Sequence, residues 1–257
     1  MPAALFFRLV RQEFADRYAG SVLGVVWSVV HPLLLVTVFF AVFSQLMGAR
    51  LPGVDDAFGY GIYLVAGILP WLAFSGAVRR ITEVLHQRRD VLRKIALPLW
   101  LLPLCVVTAE TLTFVIGFAV FALGLVVVGY DVALGAVWVL PMIYVAHQLL
   151  ALGVGLVLGA LNVFLKDIQE FVAAMLMVWF WATPIVWVPD IAPAWVLELQ
   201  QAFNPAYWLV HGYQAVLAMG QPPDPGVLLR LMVVSPLVLV AAWWLLRAGE
   251  RRVRDHL

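Results

Sequence analysis

Six stretches of this chain are each long and apolar enough to cross a lipid bilayer as a helix, and that leaves little room for any other architecture. A spanning helix needs ~20 apolar residues, and such runs fall at residues 22–47, 60–78, 99–128, 134–161, 168–188 and 227–246. Of 257 residues, 64% are apolar and 12% charged, with a mean hydropathy of +0.98. A soluble domain carries roughly a quarter charged residues, so lipid is the main solvent. The third and fourth runs exceed the minimum and are expected to tilt or project beyond the lipid. Pro103 and Pro141 are expected to bend or shorten them.

The basic residues assign the two sides of the membrane. Arg8, Arg11 and Arg17 fall on one side of a six-span alternation, as do Arg79, Arg80, Arg88, Arg89, Arg93 and Lys94. Lys166 and then Arg247, Arg251, Arg252 and Arg254 fall on the same side, which thus holds 14 of the 16 Lys and Arg residues. Only Arg50 and Arg230 remain for the other. The rich side is the cytoplasmic one, and an even number of spans puts both termini there. No cleavable signal peptide is expected; the first run stays in the membrane as an anchor. Ahead of it, Leu5, Phe6, Leu9, Val10 and Phe14 recur at helical spacing among Arg8, Arg11, Gln12 and Asp16. Residues 1–20 therefore read as an amphipathic helix in the cytoplasmic interface, a frayed terminus being the alternative.

Between the fifth and sixth runs, residues 189–226 contain Asp190, Glu198 and Asp224 but no Lys or Arg. An apolar stretch within this segment is too short to cross and is broken by His211, Tyr213 and Gln214. Two short re-entrant or interfacial helices are expected, at 192–203 and 207–218, with a turn at Asn204-Pro205. Backbone at such depth must be buried in protein or line a water-filled cavity.

Enzymatic chemistry finds little support. No G-x-x-x-x-G-K-[ST] loop exists, so ATP cannot be bound here in the P-loop manner. A serine–histidine pair from Ser75 and His147 lacks its sequence setting, and a serine in a membrane helix commonly bonds its own backbone. The single cysteine, Cys105, can form neither an internal disulfide nor a metal cluster. No metal site is expected, and no charged tail suggests nucleic acid. Glu110 lies within the third run and is either functional or neutralised by a neighbour. His31, just before Pro32, is expected to bond backbone groups that the proline leaves free. Gly20 and Gly24, and likewise Gly155 and Gly159, have the four-residue spacing of close helix contacts. Aromatic residues gather toward the outer end of the fifth run and beyond, among them Trp179, Trp181, Trp187, Tyr207, Trp208 and Tyr213. An interfacial belt and a sugar-facing surface are both compatible with them.

Arg17-Tyr18-Ala19-Gly20-Ser21-Val22-Leu23-Gly24-Val25-Val26-Trp27 followed by Pro32 resembles the opening motif of ABC transporter permeases that export bacterial polysaccharides. Asn162, Lys166-Asp167, Thr183-Pro184-Ile185 and Asn204-Pro205 are similar to that family's later N-x-x-x-R-D, T-P-I and N-P elements. Lysine stands at 166 where the family usually has arginine, which keeps the charge but loses the planar fork. The opening motif is closer to the O-antigen and teichoic-acid branches than to the capsule branch.

The resemblance implies an all-α integral membrane fold in the bacterial inner membrane. It would comprise six transmembrane helices, an N-terminal interface helix over 1–20 and a permease domain over 21–257. Within that domain, 79–98 would be a cytoplasmic coupling segment, and the two short helices of 189–226 an external, periplasmic gate. The implied assembly is two copies of this chain with two copies of a separate ATPase, which would bind ATP and magnesium; this chain would bind no cofactor. The cargo would be a lipid-linked glycan, O-antigen first among the candidates. Glu83, His86, Arg88, Arg89, Asp90 and Arg93 are candidate ATPase-docking residues, and Arg8, Arg11 and Arg17 candidates for lipid phosphate or for the ATPase. Trp27, Trp179, Trp181, Tyr207, Trp208 and Tyr213 are candidates for the translocation path. Alternatives are export of capsule, a drug or a simple lipid by the same architecture, and a membrane scaffold without a pathway.

Overall fold

The computed structural model describes residues 3–17, 19–39, 41–42, 59–94, 97–130 and 134–256. Every regular element among them is helical. In chain order these are α1 (Ala3–Asp16), α2 (Trp27–Phe39), α3 (Gly59–Gln87), α4 (Arg89–Lys94), α5 (Leu101–Val128), α6 (Leu140–Phe164), α7 (Ile168–Ala182), α8 (Ala194–Phe203), α9 (Pro205–Leu217) and α10 (Pro225–His256). Among the described residues, four helices are long and apolar enough to cross a membrane: α3, α5, α6 with the 3-10 turn ahead of it, and α10. The expected first span, 22–47, is described as a 3-10 turn at Gly24–Val26 and then α2; residues 43–47 lie outside the described residues.

The chain turns from α1 into α2 through Gly20 and Gly24, at φ +79° and +51°. Only glycine adopts such angles without steric cost. A Cβ at either position would meet nothing within 4 Å, so this pair is a turn device and not the helix contact its spacing suggests. Gly155 and Gly159 do make that contact. A Cβ on Gly155 would lie 2.7 Å from Cβ of Ile81, and one on Gly159 2.8 Å from the Ile81 carbonyl oxygen. Gly153 approaches the backbone of Leu239 on α10 in the same way. Small residues on α6 thus let α3 pack on one side and α10 on another, the means of close packing where water supplies no hydrophobic drive. α3 is the innermost element: Tyr63, Phe74, Ala77, Val78, Ile81 and Leu85 are all fully buried.

The prolines also differ from expectation. Pro103 and Pro141 sit in the first turns of α5 and α6, where a missing N–H costs no helical bond. Pro70 in α3 and Pro236 in α10, by contrast, lie inside their helices. The expected fifth span, 168–188, is helical only as far as Ala182. Thr183 precedes Pro184 and is pushed into the extended region at φ −89°, ψ 138°, which ends α7. The carbonyls freed beyond it are satisfied from neighbouring helices. Tyr60 donates its hydroxyl to the Val186 carbonyl, Tyr63 to Pro184 at 3.1 Å, and the Gln214 amide to Pro184 at 3.2 Å.

Contacts between helix ends sort into two sets. At one end Arg17 and Arg80 reach Glu110, Arg254 donates to the Leu97 carbonyl, and Phe164 packs on His256. At the other, Tyr60 and Tyr63 hold residues 184–187, Tyr130 donates to Ala218, and Arg230 donates to Gln201. α8 and α9 lie at this second end, joined at Asn204.

Candidate functional site

The arginine-rich end is built around two carboxylates that the apolar pattern conceals. Glu13 falls on the inward stripe of α1 beside Val10, which is why it is buried although charged. Glu110 lies on α5 where the helix passes α3 and the chain just beyond α1, and is 1% exposed. A carboxylate held this far from water needs paired charges. Arg17 Nη1 meets Glu110 Oε2 at 2.9 Å and the Thr113 hydroxyl at 2.9 Å. Arg80 Nη1 takes Glu110 Oε1 at 3.0 Å, while its Nη2 donates to the Glu13 carbonyl oxygen at 3.1 Å. Arg88 donates to Glu13 Oε1 from Nη2 at 2.9 Å and from Nε at 3.2 Å, and also to Asp16. Burial alone would lower the Arg88 pKa, but Asp16 and Glu13 together raise it above its ordinary value. Three arginines and three carboxylates therefore balance, fastening α1, α3 and α5 together.

Beside this network a cavity of about 850 Å3 opens between α2, α3, α5 and α7. Arg17, Trp27, His31, Arg79 and Glu110 line one part; Leu69, Trp71, Phe114, Leu176 and Phe180 line the rest. Arg79 is exposed and makes no ion pair or hydrogen bond among the described residues.

The residues singled out in the sequence divide clearly. Arg8 and Arg11 are exposed on α1, as are Arg89, Asp90 and Arg93 on α4. Residues 79–87 of the expected coupling segment are the end of α3, and Glu83 and His86 lie there half-buried. Arg88 and Arg17 face inward to carboxylates of the same chain. Trp27 and Trp181 are 40% and 56% exposed, whereas Tyr207, Trp208 and Tyr213 are buried within the chain. Trp179 donates its indole N–H to Asn204 Oδ1 at 2.8 Å. Asn204 also accepts from the Ala206 amide at 3.0 Å and donates to the Thr183 hydroxyl at 3.1 Å, so one side chain joins α7, α8 and α9. Ser75 donates to the Leu72 carbonyl of its own helix, and His147 is enclosed by the rings of Phe74, Phe114, Tyr144 and Tyr213. These two do not form a catalytic pair. Among the described residues, no three His, Cys, Asp or Glu side chains converge as metal ligands would.

The family model described as "ABC-2 type transporter" matches residues 4–218, from α1 through α9. The chain belongs to the ABC-2 type transporter family. Its members are the transport subunits of their systems, and the absence of a phosphate loop accords with that. The O-antigen export system permease protein RfbA of Myxococcus xanthus is 30% identical over 242 residues, covering 93% of this chain and 89% of that protein. Two proteins of the same description from Klebsiella pneumoniae are 26% and 25% identical over 215 residues, each covering 82% of this chain and 79% of the relative. In this ABC-2 permease the match takes in both the ion network and the Asn204 junction.

Proposed function

We propose that this chain is the transmembrane subunit of an ATP-driven exporter of lipid-linked O-antigen, crossing the bacterial inner membrane six times with both termini in the cytoplasm. The observation that carries this reading is the likeness to an O-antigen export permease along 93% of the chain. Beside the four long helices, the apolar runs at 22–47 and 168–188 supply the first and fifth crossings. The arginine-rich end faces the cytoplasm, by the positive-inside rule.

Two copies of the chain work with two copies of a separate ATPase, which holds ATP and magnesium; this chain holds no cofactor. The exposed cations of α4, Arg89 and Arg93, together with Asp90, form the docking surface, flanked by Glu83 and His86. Arg88 contributes by holding α1 against the end of α3. Arg8 and Arg11 meet lipid phosphates. At the periplasmic end α8 and α9 act as the gate, with Asn204 as its joint. Trp27 and Trp181 face the path, and the exposure of both supports that role. Trp179, Tyr207, Trp208 and Tyr213 set the position of the gate helices from within.

Deleting the gene tests the reading. Surface O-antigen is expected to disappear while lipid-linked glycan accumulates inside, with recovery on complementation. Unchanged O-antigen together with loss of a different surface polymer would reassign the cargo.

A further inference from the structure

The last helix is longer than a membrane requires. The 32 residues of α10 reach about 48 Å at the helical rise, against a hydrocarbon core of ~30 Å. Its apolar run closes at Leu246, and residues 247–256 continue the helix beyond it. A projecting helix end of that length would ordinarily fray. Here it is fastened. Val253 is 2% exposed and Leu246 4%, and the His256 ring meets Phe164 at 4.8 Å in a T-shaped contact.

The firmest attachment reaches back across 157 residues, where Arg254 Nη2 donates to the Leu97 carbonyl oxygen at 2.7 Å. Glu250, one turn earlier, accepts from the same guanidinium through Nη2 at 2.8 Å and Nε at 3.1 Å. The glutamate thus orients the fork toward its target, with the acid four residues ahead of the base as helices favour. The target is a carbonyl in need of a donor. Leu97 precedes Pro98, which disfavours a helical conformation for it, and it lies outside both α4 and α5. It also stands three residues after Lys94, the end of α4, so at most about 11 Å separates it from that helix.

We propose that Arg254 is a positioning residue for the ATPase-docking helix. The end of α10 clasps the linker at Leu97 and so fixes how α4 is presented, making α4, α5 and α10 move together when the ATPase pushes on α4. This rests on the reading of α4 as the docking surface. Without the clasp α4 would swing on its linker. The ATPase would still bind, but less of its stroke would reach the spanning helices.

Two measurements on full-length Arg254→Gln test this. In nanodiscs, hydrogen–deuterium exchange over residues 89–100 should quicken about tenfold, the scale of one charge-assisted hydrogen bond, while α1 stays as protected as before. In the complex with the ATPase, co-purification and ATP hydrolysis should persist, while surface glycan falls several-fold in cells holding equal amounts of the chain. Arg254→Lys should restore part of both, since an ammonium still reaches the carbonyl without the fork. Arg251→Gln, exposed on the same helix, should change neither. Unaltered exchange over 89–100 would overturn the clasp. Normal surface glycan, or a fall matched by loss of Tm and abundance alone, would overturn the positioning role. Lost co-purification would overturn it too, by making Arg254 part of the docking surface. Failure of the docking reading shows elsewhere, as unimpaired co-purification with Arg89 and Arg93 reversed, and leaves the exchange result untouched.

Discussion

Replacing Glu110 with glutamine tests the most consequential arrangement in the chain. The substitution keeps the shape but removes the charge from a side chain that is 2% exposed and lies within about 3 Å of two guanidinium groups. Arg17 and Arg80 would then face each other without their shared counter-ion. Breaking a buried ion pair by removing one partner costs about 3–5 kcal/mol. Here the arginine side chains are 32% and 21% exposed and Arg80 retains Glu13, so partial screening reduces the expectation to about 2–3 kcal/mol. For a chain of this size that corresponds to a fall on the order of 5–10 °C in Tm. Thermal unfolding in nanodiscs, followed by circular dichroism, reads it directly. Combining Glu110→Gln with Arg17→Gln should cost less than the sum of the two, because the second change removes a charge the first left unpaired. A shift below about 1 °C, or strict additivity in the cycle, would refute the claim that these charges neutralise one another.

Other substitutions separate packing from function. Gly155→Ala should destabilise by about 1–3 kcal/mol through overpacking on Ile81, and Ile81→Ala should relieve part of that cost in a double-mutant cycle, since it removes the Cγ2 and Cδ1 atoms met at 2.8 and 3.0 Å. Gly153→Ala, which meets the backbone of Leu239, should find no such rescue; thermal melts of the single and paired variants decide between them. Reversing charge at Arg89 and Arg93 should weaken co-purification of the ATPase while leaving Tm unchanged, whereas Arg88→Glu should lower Tm by freeing α1; unimpaired pull-down by the first pair would remove the docking assignment. Trp181→Ala is expected to slow appearance of surface glycan without loss of stability, whereas Tyr213→Ala should lose stability first. Identical melting losses in the two would place both rings in the core.

The fold was legible where a single physical rule dominates. Long apolar runs marked α3, α5, α6 and α10, and the amphipathic spacing of Leu5 to Phe14 marked α1. The Asn204-Pro205 turn was readable because asparagine caps and proline starts a helix, and Asn204 does accept from the Ala206 amide. The end of α7 was readable in principle from Thr183-Pro184, but hydropathy averages across such a break and extended the span to 188. The ion network was hidden for a different reason. Glu110 was visible as an isolated acid, but Arg80 was counted only as a sidedness charge and Arg17 as one for lipid phosphate or the ATPase; nothing local in sequence brings Arg17 and Arg80 to it across 93 and 30 residues. Glu13 carried a faint signal, being a carboxylate three residues beyond Val10 on the apolar stripe. Gly20 and Gly24 misled because spacing alone does not distinguish a contact from a turn.

The early end of α7 bears on the lipid as much as on the protein. Its 15 residues reach about 22 Å, against ~30 Å of hydrocarbon core and about 42 Å for the 28 residues of α5. Along α3, α5, α6 and α10 the acyl chains would meet helices that match or exceed their own thickness. Along α7 they meet a wall that is too low. Bilayers answer such mismatch by thinning, which draws headgroups and water down toward Trp181. The wall is thus uneven, lower along α7 than along α3, α5, α6 and α10.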